Sequence, residues 1–407
     1  MNPMDTATKE EFLESLFSRW SPGRQVEYVP IDEAYGRILA EDLTAKYSFP
    51  VVRASMRDGI AVKSADFAAG MPDTSAWKLG VDYIRADTGD DFDDAFDSVI
   101  MIENVDLHDD GSVLIHFDHD EKFQPGMNVQ LAGSRLKEGA IVAKAMRRIN
   151  GMVASGAAEG GYTKLPVIKR PRVAYVPTGS ELITPYEVPK RGQNIASNSY
   201  MITELIKKYG GEPVCYPIVK DDMAALEAAL DKALAECDMV LLSGGSSKGE
   251  EDFTTRLFAK RGEVLNHWVR TAPGRPMCIG IADNKPLINL SGPPIAAFNG
   301  LEWCVRRVIA RFMDVPAYER QELEVTLANP LTPPPIMSIL SLFYLTKDEN
   351  GEYLASSIGG FGPAPGNAAV NNPMLAHAYY MSRLGGEKHE KGDKITVKLL
   401  CTVDEIV

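Results

Sequence analysis

Three short loops carry the residues whose types and spacing suit chemistry on an anionic ligand: Thr178-Gly179-Ser180-Glu181, Ser243-Gly244-Gly245-Ser246-Ser247 and Ser291-Gly292-Pro293-Pro294. Each follows a run that reads as a β-strand. In an open α/β sheet ligands collect beyond the carboxyl ends of strands, so the three loops should converge. Gly244 and Gly245 allow close backbone approach, and the serine hydroxyls with the free N–H groups of the next helix suit a phosphate or oxyanion. A Ser-Gly-Gly turn alone is equally compatible with an ordinary strand-to-helix connection. The second loop continues as Gly249-Glu250-Glu251-Asp252. Mg2+ bridging these acids to substrate phosphates would relieve their mutual repulsion, although they would also complement the dipole of the following helix. Glu181 and Asp221, on neighbouring loops, tilt the balance towards a metal site, with Asp252, Asp221 and Glu250 as its ligands.

The elements that must hold these loops read as alternating strands and helices between about 172 and 325, hence βαβ units and a largely parallel sheet. Arg172 to Pro177, Pro213 to Val219, Asp238 to Leu242 and Lys285 to Leu290 are strand patterns. Ser197-Asn198-Ser199 reads as the cap of a helix carrying Ile202, Leu205 and Ile206 and ended by Gly210-Gly211. Asp221-Asp222 starts a helical run to Cys237, and a long helix after Pro293-Pro294 carries Phe298, Leu301, Val305 and Ile309.

Outside this region the texture differs. Thr8 to Glu11, followed by Phe12, Leu13, Leu16, Phe17 and Trp20, combines a capping box with apolar residues at helical spacing. A second helix-like stretch covers Ile31 to Arg37. From about 46 to 145 short alternating strands such as Ser98–Ile102 and Ser112–His116 lie between Asp/Gly turns. Thr332-Pro333-Pro334-Pro335 is a stiff linker, and strand patterns follow it. The expected division is 1–45 with 146–171 as an extended helical domain, 46–145 as a β insertion, 172–325 as an α/β domain, and 330–407 as a β-barrel.

Composition excludes several classes. The 407 residues imply about two to four domains. With 43 basic against 56 acidic residues, a formal charge of −13 disfavours nucleic acid and anionic membranes while leaving room for a local basic pocket. The amino terminus has no signal-peptide pattern, and no run approaches the roughly 18 apolar residues a membrane span needs, so a cytoplasmic protein is expected. The five cysteines are scattered without a C-x-x-C pair, which points to reduced core residues.

Taken together, several motifs resemble the molybdopterin molybdenumtransferase family in order and spacing. They are Gly192-Gln193 with Ser197 to Tyr200, Ile218 to Asp222, and Ser243-Gly244-Gly245 through Asp252-Phe253. Phe49-Pro50, Ser55, Asp58-Gly59 and Ala61-Val62, then Asp87-Thr88-Gly89 with Glu103, look like the family's motifs around its β insertion, and Asn371-Asn372 and Gly392-Asp393 extend the match into the last domain. The resemblance implies an α/β multidomain fold: a doubly wound molybdopterin-binding domain, an extended helical segment, a β insertion and a small C-terminal β-barrel. It also implies a homodimer, with a molybdopterin adenylyltransferase and apo-molybdoenzymes as partner proteins.

The implied reaction inserts molybdate into adenylylated molybdopterin with release of AMP, assisted by Mg2+. By position, Glu181, Asp221 and Asp252 would serve metal and substrate, and Asp58 would reach the site from the partner subunit. Thr178, Gly179, Ser243, Gly244, Gly245, Ser247 and Pro294 would bind substrate. The chain departs from the family where Trp268 and Ala272 replace lysines, where Ser291-Gly292-Pro293-Pro294 replaces a Pro-Gly-Asn-Pro turn, and at Arg135 and Ser180. Arg270 and Arg275 together would clamp an oxyanion bidentately, and Lys248 would replace a lost cation. The alternatives are a paralogue that binds pterin or a partner as a scaffold without turnover, and an enzyme acting on another phosphorylated compound.

Overall fold

Met239–Ser243 is buried at every position, as a strand must be when helices cover both faces of a parallel sheet. It sits at the centre of the larger of two compact units. A computed structural model describes residues 6–117, 122–244, 253–358 and 373–406, and the contacts group Met1–Gln25 with Lys169–Val407 in one unit and Val26–Ile168 in the other.

In the larger unit, α1 (Lys9–Phe17) starts with the expected capping box, Thr8 and Glu11 exchanging bonds. Numbering within this unit, β1 (Arg172–Pro177), α2 (Asn198–Tyr209), β2 (Glu212–Cys215), α3 (Met223–Glu236) and β3 (Met239–Ser243) come next. They are followed by α4 (Phe253–Arg261), β4 (Glu263–His267), β5 (Cys278–Ala282) and β6 (Lys285–Leu290). The sheet order is β2-β1-β3-β6-β5-β4. The first four strands are parallel, and β5 and β4 continue antiparallel.

One face packs Ala174, Val176, Val240, Leu242 and Leu287 against Leu226 and Leu230 of α3 and Leu257 and Phe258 of α4. On the other, Val173, Met239, Leu241, Ile288 and Leu290 are also fully buried, with α2 against β1. Helices on both faces make this the doubly wound domain that the alternation of elements implies. Gly210 at φ +99° ends α2 as expected, and Asp222 caps α3 by accepting from Ala225 N–H.

The long helix after Pro293 is interrupted. It comprises α5 (Pro294–Gly300), a π turn (Leu301–Val305) and α6 (Arg306–Met313). The π turn carries Glu302, which is 1% exposed yet accepts from Arg320 Nε at 2.8 Å, Tyr209 Oη at 2.8 Å and Tyr379 Oη at 2.7 Å. Burial and the Glu302 carboxylate push both tyrosine hydroxyls well above their ordinary range, so they remain donors.

Five strands then form a barrel: β7 (Glu322–Leu327), β8 (Ser338–Lys347), β9 (Tyr353–Ile358), β10 (Ala378–Met381) and β11 (Lys394–Leu399). The pairings run β8-β9-β7-β11-β10 and return from β10 to β8, which closes the sheet around Val325, Phe343, Leu345, Ala355 and Val397.

Lys9 is an exception to ordinary burial. Only 9% exposed, its ammonium donates to Ser338 Oγ at 2.8 Å, and loss of water lowers its pKa from 10.5 to about 7. Below pH 7 Lys9 is charged in both folded and unfolded states, and the folded state carries the full desolvation cost. Between about 7 and 10.5 only the unfolded chain keeps the proton, so the cost shrinks as pH rises. Lys9→Met is therefore expected to raise the melting temperature most below pH 7, with the gain shrinking towards pH 10. A gain independent of pH in thermal scans would show that the amine carries no such cost.

In the smaller unit, Val26–Pro30 pairs antiparallel with Lys164–Ile168, and Gly59–Val62 lies between Tyr83–Ala86 and Ser98–Met101. The helix expected over Ile31–Arg37 is only a 3-10 turn, Ile31–Glu33. Gly36 takes φ +71°, a left-handed conformation that does not continue a helix.

Candidate functional site

The strand order reverses between β1 and β3: β1 connects through α2 to β2 on one side, while β3 lies on the other. Such a switch point leaves a crevice between the diverging loops. Here the crevice is a cleft of about 640 Å3, lined by the loop after β1, by Ser243 and Gly244 after β3, and by Gly292, Pro293 and Pro294 after β6.

Its floor is tied together by short bonds. Thr178 N–H and Oγ1 both donate to Ser243 O, at 3.2 and 2.9 Å, and the Ser243 and Tyr175 hydroxyls share a bond of 2.6 Å. Burial pushes the Tyr175 phenol up to about 12, so it faces the cleft as a neutral hydroxyl. Gly244 is held at φ +118°, and a Cβ there would sit 2.6 Å from Thr178 O. No side chain fits, which is why the turn brings backbone to the cleft floor. Gly179, at φ +149°, is likewise crowded, with the Glu181 carboxylate 2.6 Å from where its Cβ would be.

Glu181 is the one formally charged side chain lining the cleft among the described residues. The other lining groups that can hydrogen-bond are neutral: Thr178, Ser243, Tyr175, Gln193, Asn194, Ser197 and Asn198. The expected cap of α2 is not formed, because Ser197 already has helical dihedrals and makes no capping bond. Asn198 instead donates Nδ2–H to Gly292 O at 2.7 Å, fastening the start of α2 to the turn after β6. Two loops distant in sequence are thereby held as walls of one cleft.

Thr178, Glu181, Ser243, Gly244 and Pro294 all line this cleft, and Gly179 shapes the loop behind Glu181. Asp221 does not line it. Its carboxylate accepts Ser180 N–H at 2.9 Å, and its own backbone N–H donates to Ser180 Oγ at 3.1 Å. The Arg270–Arg275 clamp does not form. Trp268 adopts φ +72° and redirects the chain, so Arg270 N–H bonds to Ala7 O and its guanidinium faces Glu11 of α1 at 3.7 Å.

Arg275 lies over the Trp268 ring at 5.2 Å, outside the cleft lining, with Nε and Nη2 buried and unpartnered among the described residues. Its loop is pinned by Ser291 Oγ to Pro276 O at 3.2 Å and by Asn299 Nδ2 to Pro273 O at 2.7 Å. Asp58 belongs to the smaller unit, where its Oδ1 accepts Thr88 N–H and Oγ1–H at 2.7 and 2.8 Å; these bonds lower its pKa. Gly245, Ser246, Ser247, Lys248, Glu250, Glu251 and Asp252, with Asn371 and Asn372, lie outside the described residues.

Sequence reasoning passed over Tyr175 and Asn289. Both stand in otherwise apolar strands, and that contrast is the available signal. Asn289 is fully buried, one residue before the end of β6, and neither amide atom has a partner among the described residues. Such a group costs about 1–3 kcal/mol.

Residues 7–161 match the model described as MoeA N-terminal region (domain I and II), and residues 174–311 match that of a probable molybdopterin binding domain. A molybdopterin molybdenumtransferase of Staphylococcus epidermidis is 30% identical over 327 residues, 75% of this chain and 77% of that protein. The chain belongs to the molybdopterin molybdenumtransferase family. A Staphylococcus aureus relative of the same description is also 30% identical over 75% of this chain and 77% of its own length. A crystal structure of a molybdopterin biosynthesis MoeA protein from Pyrococcus horikosii superposes with a TM-score of 0.72 at 25% identity, covering 98% of this chain and 100% of that one. Membership of the molybdopterin molybdenumtransferase family places the chain among the transferases of molybdenum cofactor biosynthesis.

Proposed function

We propose that the switch-point cleft binds adenylylated molybdopterin and that the chain inserts molybdate into it with release of AMP. The observation that carries this reading is the convergence of three loops, distant in sequence, on one cleft whose single formal charge among the described residues is Glu181. Family membership supports the same reading and does not favour the scaffold alternative. The first turn of α2, which has no capping bond, offers N–H donors for phosphate oxygens, Gly244 lets the ligand come close to the backbone, and Thr178 and Tyr175 fix the shape of that floor. Glu181 stands at the rim, where a carboxylate orients a cation or takes up a proton.

The donor set suits Mg2+, which prefers hard oxygen ligands and is commonly held by one or two carboxylates together with substrate phosphates. Glu181 would be one such ligand, with Asp252 and Glu250 as further candidates; Asp221, already bonded to Ser180 N–H, would serve by holding the loop. When bound, the cation would neutralise charge on the phosphate oxygens. We also propose a cytoplasmic homodimer in which Asp58 completes the partner's cleft, four domains bounded as the sequence suggests, and exchange with a molybdopterin adenylyltransferase and apo-molybdoenzymes.

The test is AMP release from adenylylated molybdopterin with Mg2+ and molybdate, and no release above the uncatalysed rate would refute the reading. Asp252→Asn removes a charge with little change of shape. It is expected to raise the Mg2+ concentration for half-maximal release about ten- to a hundredfold, on the scale seen when a metal site loses a supporting group, and to weaken Mg2+ in calorimetry to match. Unchanged Mg2+ dependence would place the metal elsewhere.

A further inference from the structure

A second cleft, of about 630 Å3, opens in the larger unit between the start of α1, the π turn with the first residues of α6, and the barrel strands β8, β10 and β11. Among the described residues it shares no lining residue with the switch-point cleft. Lys9, Arg270, Arg306, Arg307, Arg383 and Lys398 line it, a concentration of cations in a chain whose formal charge is −13.

The neighbouring acids leave a surplus. Glu302 is already held by Arg320, which does not line the cleft; Arg306 and Lys398 share the Glu319 carboxylate at 2.9 and 2.6 Å, Glu322 lies 3.8 Å from Lys398, and Arg270 faces Glu11 at 3.7 Å. Arg307 and Arg383 are exposed and form no ion pair among the described residues. The buried polar atoms point the same way. Trp303, 4% exposed, has an unpartnered Nε1, and the Nε atoms of Arg270 and Arg306 are unpartnered too, among the described residues. All three are donors without solvent access, and they add to the positive character of the wall behind the cleft. The π turn is a third observation, since such turns recur at functional sites, and this one supplies Trp303 and leads directly into Arg306 and Arg307.

We propose that this cleft is a second ligand site, taking a compact polyanion that carries phosphate groups. Its volume suits a small molecule. Guanidinium forks match phosphate oxygens in pairs, and the Lys9 amine beside Ser338 adds a hydrogen-bond donor that is charged below about pH 7. Glu10 and Glu322 at the lining set a limit on affinity but do not cancel the surplus.

The probe is inorganic tripolyphosphate, titrated calorimetrically into the full chain, with citrate in a parallel arm. The comparison is Arg307→Ala/Arg383→Ala, whose two side chains are exposed. Saturable binding by the natural sequence, weakened at least tenfold in the double variant while AMP release is unchanged, is the expected result. Absence of saturable heat, or equal affinity in both proteins, would overturn the site. Citrate binding tighter than tripolyphosphate would overturn the phosphate assignment, and AMP release falling in parallel with tripolyphosphate binding would overturn its separateness. The heats are read whether or not the chain turns over, so failure of the proposed activity and failure of this site are distinguishable.

Discussion

Glu181→Gln is expected to fold like the natural protein and to release AMP about a hundred- to a thousandfold more slowly, the scale for removing one preorganised electrostatic contact from an active site. The amide keeps the size and hydrogen-bonding reach of the carboxylate and removes the one formal charge that lines the switch-point cleft among the described residues. Because Glu181 is exposed, little stability depends on that charge. Its backbone carbonyl, which accepts Asn194 N–H at 2.9 Å, is untouched, so the loop should keep its course. Pterin affinity, read by fluorescence titration, should change far less than turnover. Natural turnover in the variant would assign Glu181 to the rim without a part in the chemistry, whereas loss of turnover together with the fold would make it a structural residue.

The largest effect on stability is expected at Arg320. Its guanidinium, 3% exposed, makes two bonds to Glu302, whose carboxylate is buried beneath Tyr209 and Tyr379. Arg320→Ala leaves that carboxylate in the interior with two hydroxyls and no counter-charge. Breaking a buried pair on one side costs about 3–5 kcal/mol, and urea unfolding should show a loss of that size. Replacing both members by apolar residues, as in Arg320→Met/Glu302→Leu, removes the stranded charge and should recover much of the loss. A double variant no better than Arg320→Ala would mean that the packing of the guanidinium, rather than its charge, is what matters.

Legibility in the sequence follows how local each determinant is. Arg172–Pro177 and Lys285–Leu290 are strands with the bounds their apolar runs suggest, and Asp222 and Gly210 bound helices as their own chemistry dictates. The convergence of the three loops was also legible, because parallel strands carry their outgoing loops to one edge. Ser197 was not, since its local preference for capping is overridden by the contact of Asn198 with Gly292, 94 residues away. Arg270 was misplaced for a similar reason: the positive φ at Trp268 redirects the chain, and no residue type at that position announces it. Glu302 reads as an ordinary helix carboxylate until Arg320, Tyr209 and Tyr379 are seen around it.

The closed barrel sets the order in which its backbone can be satisfied as the chain leaves the ribosome. β10 can pair with β8, and β7 with β9, as soon as Met381 has emerged, but that sheet still has two raw edges, one on β7 and one on β10. Only β11 bridges them, through Glu322↔Lys398 on one side and Tyr379↔Lys398 on the other. Until Leu399 has also emerged, the nascent sheet exposes two rows of unpaired amides to neighbouring chains, a period in which chaperone cover would be most valuable.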